Sequence, residues 1–117
     1  MKKNLHRIIM SALLTVVATV AASAQCYIVG SDNQWKTNAA AAELTETATA
    51  GVYEGEVTFA EGAQYFTVTQ NLTTGDDDYD WATFNQHRFG PSAPDAMLLI
   101  NEPMAMIKGK DRSFKVP

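Results

Sequence analysis

Residues 51–71 read GVYEGEVTFAEGAQYFTVTQN, and this stretch restricts the fold more than any other. In its first arm Tyr53, Gly55, Val57 and Phe59 fall on one side, and Glu54, Glu56 and Thr58 on the other. In its second arm Phe66 and Val68 oppose Tyr65, Thr67 and Thr69. A period of two is the mark of a strand with one buried face, and aromatic and β-branched residues suit such a surface. Two runs of this kind joined by a short connection bearing Gly62 predict a β-hairpin.

The remaining periodicity is also that of strands. Residues 26–30 form a short apolar run, followed by the polar, turn-prone SDNQWKTN that carries Trp35. The alanines near residue 40 predict a loop or single turn, and the ELTET that follows reads as a short strand. After Asn71 comes a long polar loop. Strands are then expected at residues 96–100 (AMLLI), 104–107 and 112–116, separated by turns at NEP and GKD. Six or so short strands with frequent turn signals predict an all-β fold, a β-sandwich. The last strand begins just before Pro117, whereas sheet edges need closing or guarding. The expectation is therefore a sandwich lacking its last strand or hairpin.

The first 24 residues read as a leader rather than as part of the domain. Lys2, Lys3 and Arg7 give a basic start, residues 8–22 are apolar, and Ala22-Ser23-Ala24 supplies small residues at the cleavage positions. This three-part pattern predicts a secretory signal peptide, residues 1–24, cut after Ala24 to leave Gln25 first. The apolar run is short for a membrane span. Cys26 at the second mature position raises the question of a lipid anchor, but Gln25 stands where lipidation signals want a small residue. As the only cysteine, Cys26 forms no internal disulfide.

Removing the leader leaves 93 of the 117 residues, 25–117, enough for one small domain. Three of the nine basic residues leave with it and all thirteen acids stay, so the mature net charge is −7. That excludes a nucleic-acid partner, since phosphates need cations opposite them. Neutral or cation-assisted ligands suit such a domain better.

The chemistry-bearing residues concentrate in residues 75–91, GDDDYDWATFNQHRFGP. An exposed aromatic face matches the C–H patch of a pyranose ring, and such stacking contributes about 0.5–1.5 kcal/mol beyond burial, by analogy with aromatic pairs. Trp81 and Tyr79 are the candidates for stacking, with Phe84 and Phe89 beside them, and Asn85, Gln86, His87 and Arg88 can bond hydroxyls. Trp35 is a further candidate. The competing expectation is that Trp81 and Trp35 pack into the core. Asp76, Asp78 and Asp80 invite a calcium reading, but Trp81 and His87 stand where a helix–loop–helix calcium loop requires Gly and Glu. His87 is the only mature histidine, and no orienting group or oxyanion site accompanies a Cys26–His87 pair, so no enzyme activity and no cofactor are expected.

The opening YIVGSDNQW, the middle GVYEGEVTFAEGAQYFTVTQ and the late GKDRSFKV resemble one carbohydrate-binding domain of the SusE/SusF-type outer-membrane starch-binding proteins of Bacteroidota. The motifs are short, but they occur in the family's order over nearly all the mature chain. The resemblance implies an immunoglobulin-like β-sandwich that binds starch-like glucan or another polysaccharide without cleaving it. It implies Trp81 as the stacking residue, Arg88 and Asn85 as polar companions, and Trp35 as the tryptophan after the first strand. It also implies a place at the outer membrane, cell surface or periplasm beside other glycan-uptake proteins. Two other readings stand against it: an exported structural or adhesive module with protein partners and no glycan site, and a fold stabilised by calcium on the three aspartates.

Overall fold

The computed structural model describes residues 3–12 (backbone only), 25–60, 62–99, 102–108 and 113–117. The strands are β1 (Lys3–Ala12), β2 (Gln25–Gly30), β3 (Ala42–Glu46), β4 (Val52–Ala60), β5 (Tyr65–Thr69), β6 (Arg88–Gly90), β7 (Pro103–Lys108) and β8 (Phe114–Lys115). A single α-helical turn, α1 (Trp81–Phe84), and a 3-10 turn, Ser31–Asn33, complete it. The fold is all-β, as the periodicity predicts.

The strands join in one curled sheet in the order β2-β3-β4-β1-β7-β6-β5-β8, and β2 also pairs with β5. The pairings are antiparallel except for β1 with β7. The segment read as a leader thus supplies a strand, seated between β4 and β7.

The expected hairpin does not form. Both arms are strands, the first within a residue of residues 51–59 and the second, Tyr65–Thr69, shorter than the expected residues 63–72, but β4 pairs with β1 and β3, and β5 with β2, β6 and β8. The chain turns at Gly62, whose φ of +89° suits glycine, and crosses to the far side of the core. The reason lies in the apolar faces. Tyr53, Val57 and Phe59 of β4 are buried, as are Phe66 and Val68 of β5. The rings of Phe59 and Phe66 meet at 5.4 Å across the interior, and Phe66 stacks on Phe114 at 5.2 Å. Facing each other buries both faces, which side-by-side pairing alone would not do.

Ile28, Leu44, Phe89, Leu98 and Met106 fill out the core, together with Cys26, which has no exposed surface. Alternation puts Gly55 on the same face of β4 as Tyr53 and Val57, and a side chain is excluded there because a Cβ would lie 2.8 Å from the Glu43 carbonyl oxygen. Two expectations need amending. AMLLI makes only an isolated bridge, Met97 to Lys115, with Leu98 buried and Met97 and Leu99 exposed; Ile100 lies outside the described residues. The long loop is not featureless either, since it contains both α1 and β6. Of the final expected strand, Phe114 and Lys115 pair with β5, and Arg112 lies outside the described residues. Among the described residues no helix is long and apolar enough to cross a membrane.

Candidate functional site

Two loops meet at one end of the sheet. The first leaves β2 at Gly30 and carries Trp35. Its shape comes from side-chain bonds that replace regular structure: the Asn33 carboxamide accepts the Gly30 N–H at 3.0 Å and donates to the carbonyls of Lys36 (3.3 Å) and Ala39 (2.9 Å). Ser31 Oγ accepts the Tyr65 N–H and donates to the Tyr65 carbonyl, each at 3.2 Å, tying the loop to β5. Gln34 and Trp35 then take left-handed backbone conformations, φ 56° and 60°, and the Trp35 N–H reaches back to the Gly30 carbonyl at 2.9 Å. Left-handed geometry costs an L-residue roughly 1–2 kcal/mol, and strain of this kind gathers where a side chain must be held in place.

The second loop joins β5 to β6 and carries Trp81. Asp80 caps α1 by accepting the Thr83 N–H at 3.2 Å. The fully buried Phe84 anchors the turn and meets Trp81 edge-on, with ring centroids 4.9 Å apart.

Thr37, wholly buried, locks the loops together. Its N–H donates to the Asp78 carbonyl at 2.7 Å, and its carbonyl accepts the Thr73 N–H at 3.0 Å. Its hydroxyl accepts the Asp80 N–H at 3.0 Å and lies 2.8 Å from Thr73 Oγ1. Asn38 adds bonds to Gly75 and Asp78, and Lys36 pairs with Asp78 at 3.8 Å on the surface. The consequence is that Trp35 and Trp81, remote in sequence, lie with ring centroids 6.1 Å apart and planes inclined by 49°. Both are half-buried, neither interred in the core nor wholly free.

The other candidates divide by position. Tyr79 (48 % exposed) and Asn85 stand in solvent beside the indoles, with Gln86. Arg88 does not: as the first residue of β6 it is only 7 % exposed. Its Nε donates to Thr67 Oγ1 at 3.2 Å, its Nη1 donates to Asn85 Oδ1 at 3.0 Å, and its guanidinium carbon lies 5.6 Å from the Trp81 ring centroid. Arg88 therefore backs the indole and orients Asn85, and it does not reach outward. Phe89 is core.

The aspartates have separate structural tasks. Asp80 caps the helix, Asp78 holds the first loop, and Asp77 accepts the Tyr79 N–H at 2.9 Å. Asp76 is exposed. Among the described residues no three acidic, histidine or cysteine side chains converge as metal ligands would.

Sequence reasoning found the aromatic and amide residues but missed Thr37, Thr73 and the supporting role of Phe84. A lone threonine in a polar loop carries no local signal of burial. No protein-family model matches this chain, and neither does any curated protein or solved structure.

Proposed function

We propose that this protein is a noncatalytic glycan-binding module whose site is the Trp35–Trp81 pair. The observation that carries the reading is that pair itself: two half-buried indoles at 6.1 Å, one on a strained backbone and the other backed by a buried arginine. Such a pair offers apolar faces to sugar C–H groups, and Tyr79, Asn85 and Gln86 offer hydroxyl, amide and carbonyl partners around them. A mature net charge of −7 favours a neutral glycan over an anionic one.

The wider reading has three further parts. Export with cleavage after Ala24 is supported by the basic, apolar and small-residue pattern of residues 1–24. Membership in the SusE/SusF-type family, with starch-like glucan as ligand and an outer-membrane or periplasmic location, is supported by the order of the short motifs. An immunoglobulin-like sandwich is supported by the facing of Phe59 and Phe66 across the core. Lipidation has no part in this reading, because the Cys26 sulfur has no exposed surface and a thioether-linked lipid would have to leave the core.

The test is affinity electrophoresis through gels holding different polysaccharides, starch first. Trp81→Ala should abolish retardation while leaving the melting temperature within a few degrees. Retardation that survives Trp81→Ala and Trp35→Ala alike would move the glycan site away from the indole pair, and a wild-type protein retarded by no polysaccharide would leave the adhesive reading.

A further inference from the structure

The place of β1 in the sheet has a consequence that rests on the export reading above. β1 is an interior strand, antiparallel to β4 from Lys3↔Ala60 to Ser11↔Val52 and parallel to β7 from Ile9↔Pro103 to Ala12↔Met106. Cleavage after Ala24 takes it away. The remaining pairings then run β7-β6-β5-β2-β3-β4, with β8 still paired to β5. Neighbouring strands lie about 4.8 Å apart, so β4 and β7 would face each other across roughly 10 Å, the width of one missing strand. Both would present unpaired backbone groups to the gap, a costly and aggregation-prone arrangement.

We propose that this gap is a docking site for an extended segment of another polypeptide, which enters as a replacement strand antiparallel to β4 and parallel to β7. The register states the chemistry of the occupant. Positions opposite Tyr53, Val57 and Phe59 belong to the buried face of β4 and call for apolar side chains; Met104 and Met106 of β7 are half-buried and buried. Positions opposite Glu54 and Glu56 belong to the other face and favour Lys or Arg, since opposite charges across a strand pair attract. β1 itself meets this pattern only in part: Met10 stands opposite Tyr53 and Arg7 opposite Glu56, whereas Asn4, His6 and Ile9 stand opposite Phe59, Val57 and Glu54.

A second copy of this chain is a poor donor. Every strand from β2 to β8 is already paired within its own sheet, so among the described residues no strand is spare. Edge-to-edge dimerisation would not serve either, because a gap one strand wide must be satisfied on both sides at once. Main-chain bonds to two edges give affinity, and the alternating side chains give specificity.

The full chain is produced in an exporting host and the mass of the recovered protein is read. That protein is then mixed with a synthetic peptide of residues 3–12, KNLHRIIMSA, and followed by melting and amide hydrogen exchange. The expected product begins at Gln25. The peptide raises its melting temperature and slows exchange in Val52–Ala60 and Pro103–Lys108. A peptide carrying Ile9→Pro does neither, because proline removes a ladder donor, and one carrying Arg7→Glu binds a few-fold more weakly. Should the processed chain be unfolded alone, the peptide restores its folded circular dichroism.

Four results overturn the proposal. A recovered chain that still holds residues 3–12 shows that the gap never opens, and defeats the export reading with it. A processed monomer whose β4 amides are protected without peptide shows that the gap closes by itself. A processed dimer with those amides protected shows a second copy in the gap. A peptide that neither protects those amides nor restores the fold shows that no strand docks there. Retardation on polysaccharide gels, measured on the same samples, reports the indole site separately.

Discussion

The hydroxyl of Thr37 accepts the backbone N–H of Asp80 at 3.0 Å, and through that bond the loop bearing Trp35 is held to the residue immediately before Trp81. The same hydroxyl lies 2.8 Å from Thr73 Oγ1, and Thr37 also bonds Asp78 and Thr73 through its backbone. The geometry of the indole pair is therefore a property of a buried threonine that touches neither ring's exposed face.

Thr37→Val keeps the shape and removes the hydroxyl. The Asp80 N–H then loses its partner, and a part-buried donor left unsatisfied costs at the low end of about 1–3 kcal/mol. The expected outcome is a melting temperature lower by several degrees and weaker retardation on polysaccharide gels. Wild-type retardation at full stability would show that the two loops are held by other means.

Arg88→Lys tests the support beneath Trp81. A lysine cannot bond Thr67 and Asn85 at once and has no planar face to lie against the indole, so the exchange is not conservative here. We expect a loss of about 1–3 kcal/mol in stability by denaturant titration, together with weaker glycan retention. An unchanged midpoint would mean that Arg88 contributes nothing to the fold of the site.

The strain at Gln34 and Trp35 has its own readout. Gln34→Gly removes a cost of roughly 1–2 kcal/mol in the left-handed region and gives back about 0.5–1 kcal/mol in chain entropy. The protein should melt up to a few degrees higher. By the same reasoning Trp35→Gly should be more stable than Trp35→Ala, although both lose the ring. The reverse order would rule out the left-handed backbone at position 35.

Alkaline pH should destabilise the fold through Cys26. Burial, and secondarily the charge of Glu46, pushes its thiol up to about 12 from an ordinary 9.0. Above pH 9 the unfolded chain releases the proton while the folded chain keeps it, so the contribution is complete below pH 9 and declines toward pH 12. Burial of Tyr53, then its proximity to Cys26 and Glu46, raises its phenol against the opposing hydrogen bond from Gln70, and so acts in the same direction. Melting temperatures from pH 8 to 11 should fall above pH 9, and fall less steeply in Cys26→Ala. An identical alkaline slope in that variant would clear the thiol of any part in it.

Much of the fold is legible locally. The alternation of Tyr53, Val57 and Phe59 against Glu54, Glu56 and Thr58 marks a strand wherever the chain is placed, because pleating sends neighbours to opposite faces regardless of partner. The same holds for Phe66 and Val68, the apolar run of β2 marks a strand as well, and the aromatic and amide content of residues 75–91 is equally plain. Partner choice is another matter. β4 and β5 have the right pattern and a short connection for a hairpin, yet the structure sets them facing across the core, where Phe59 meets Phe66.

Alternation and composition, then, were enough by themselves to establish an all-β chain and to single out the aromatic loop. Only the tertiary structure decided which strands pair, that Arg88 lies beneath an indole rather than in solvent, and that Trp35 meets Trp81 through Thr37. The physical reason is that pleat and side-chain type belong to a few consecutive residues. Burial and pairing depend on which distant surfaces exclude water together, and sequence neighbours carry no record of that.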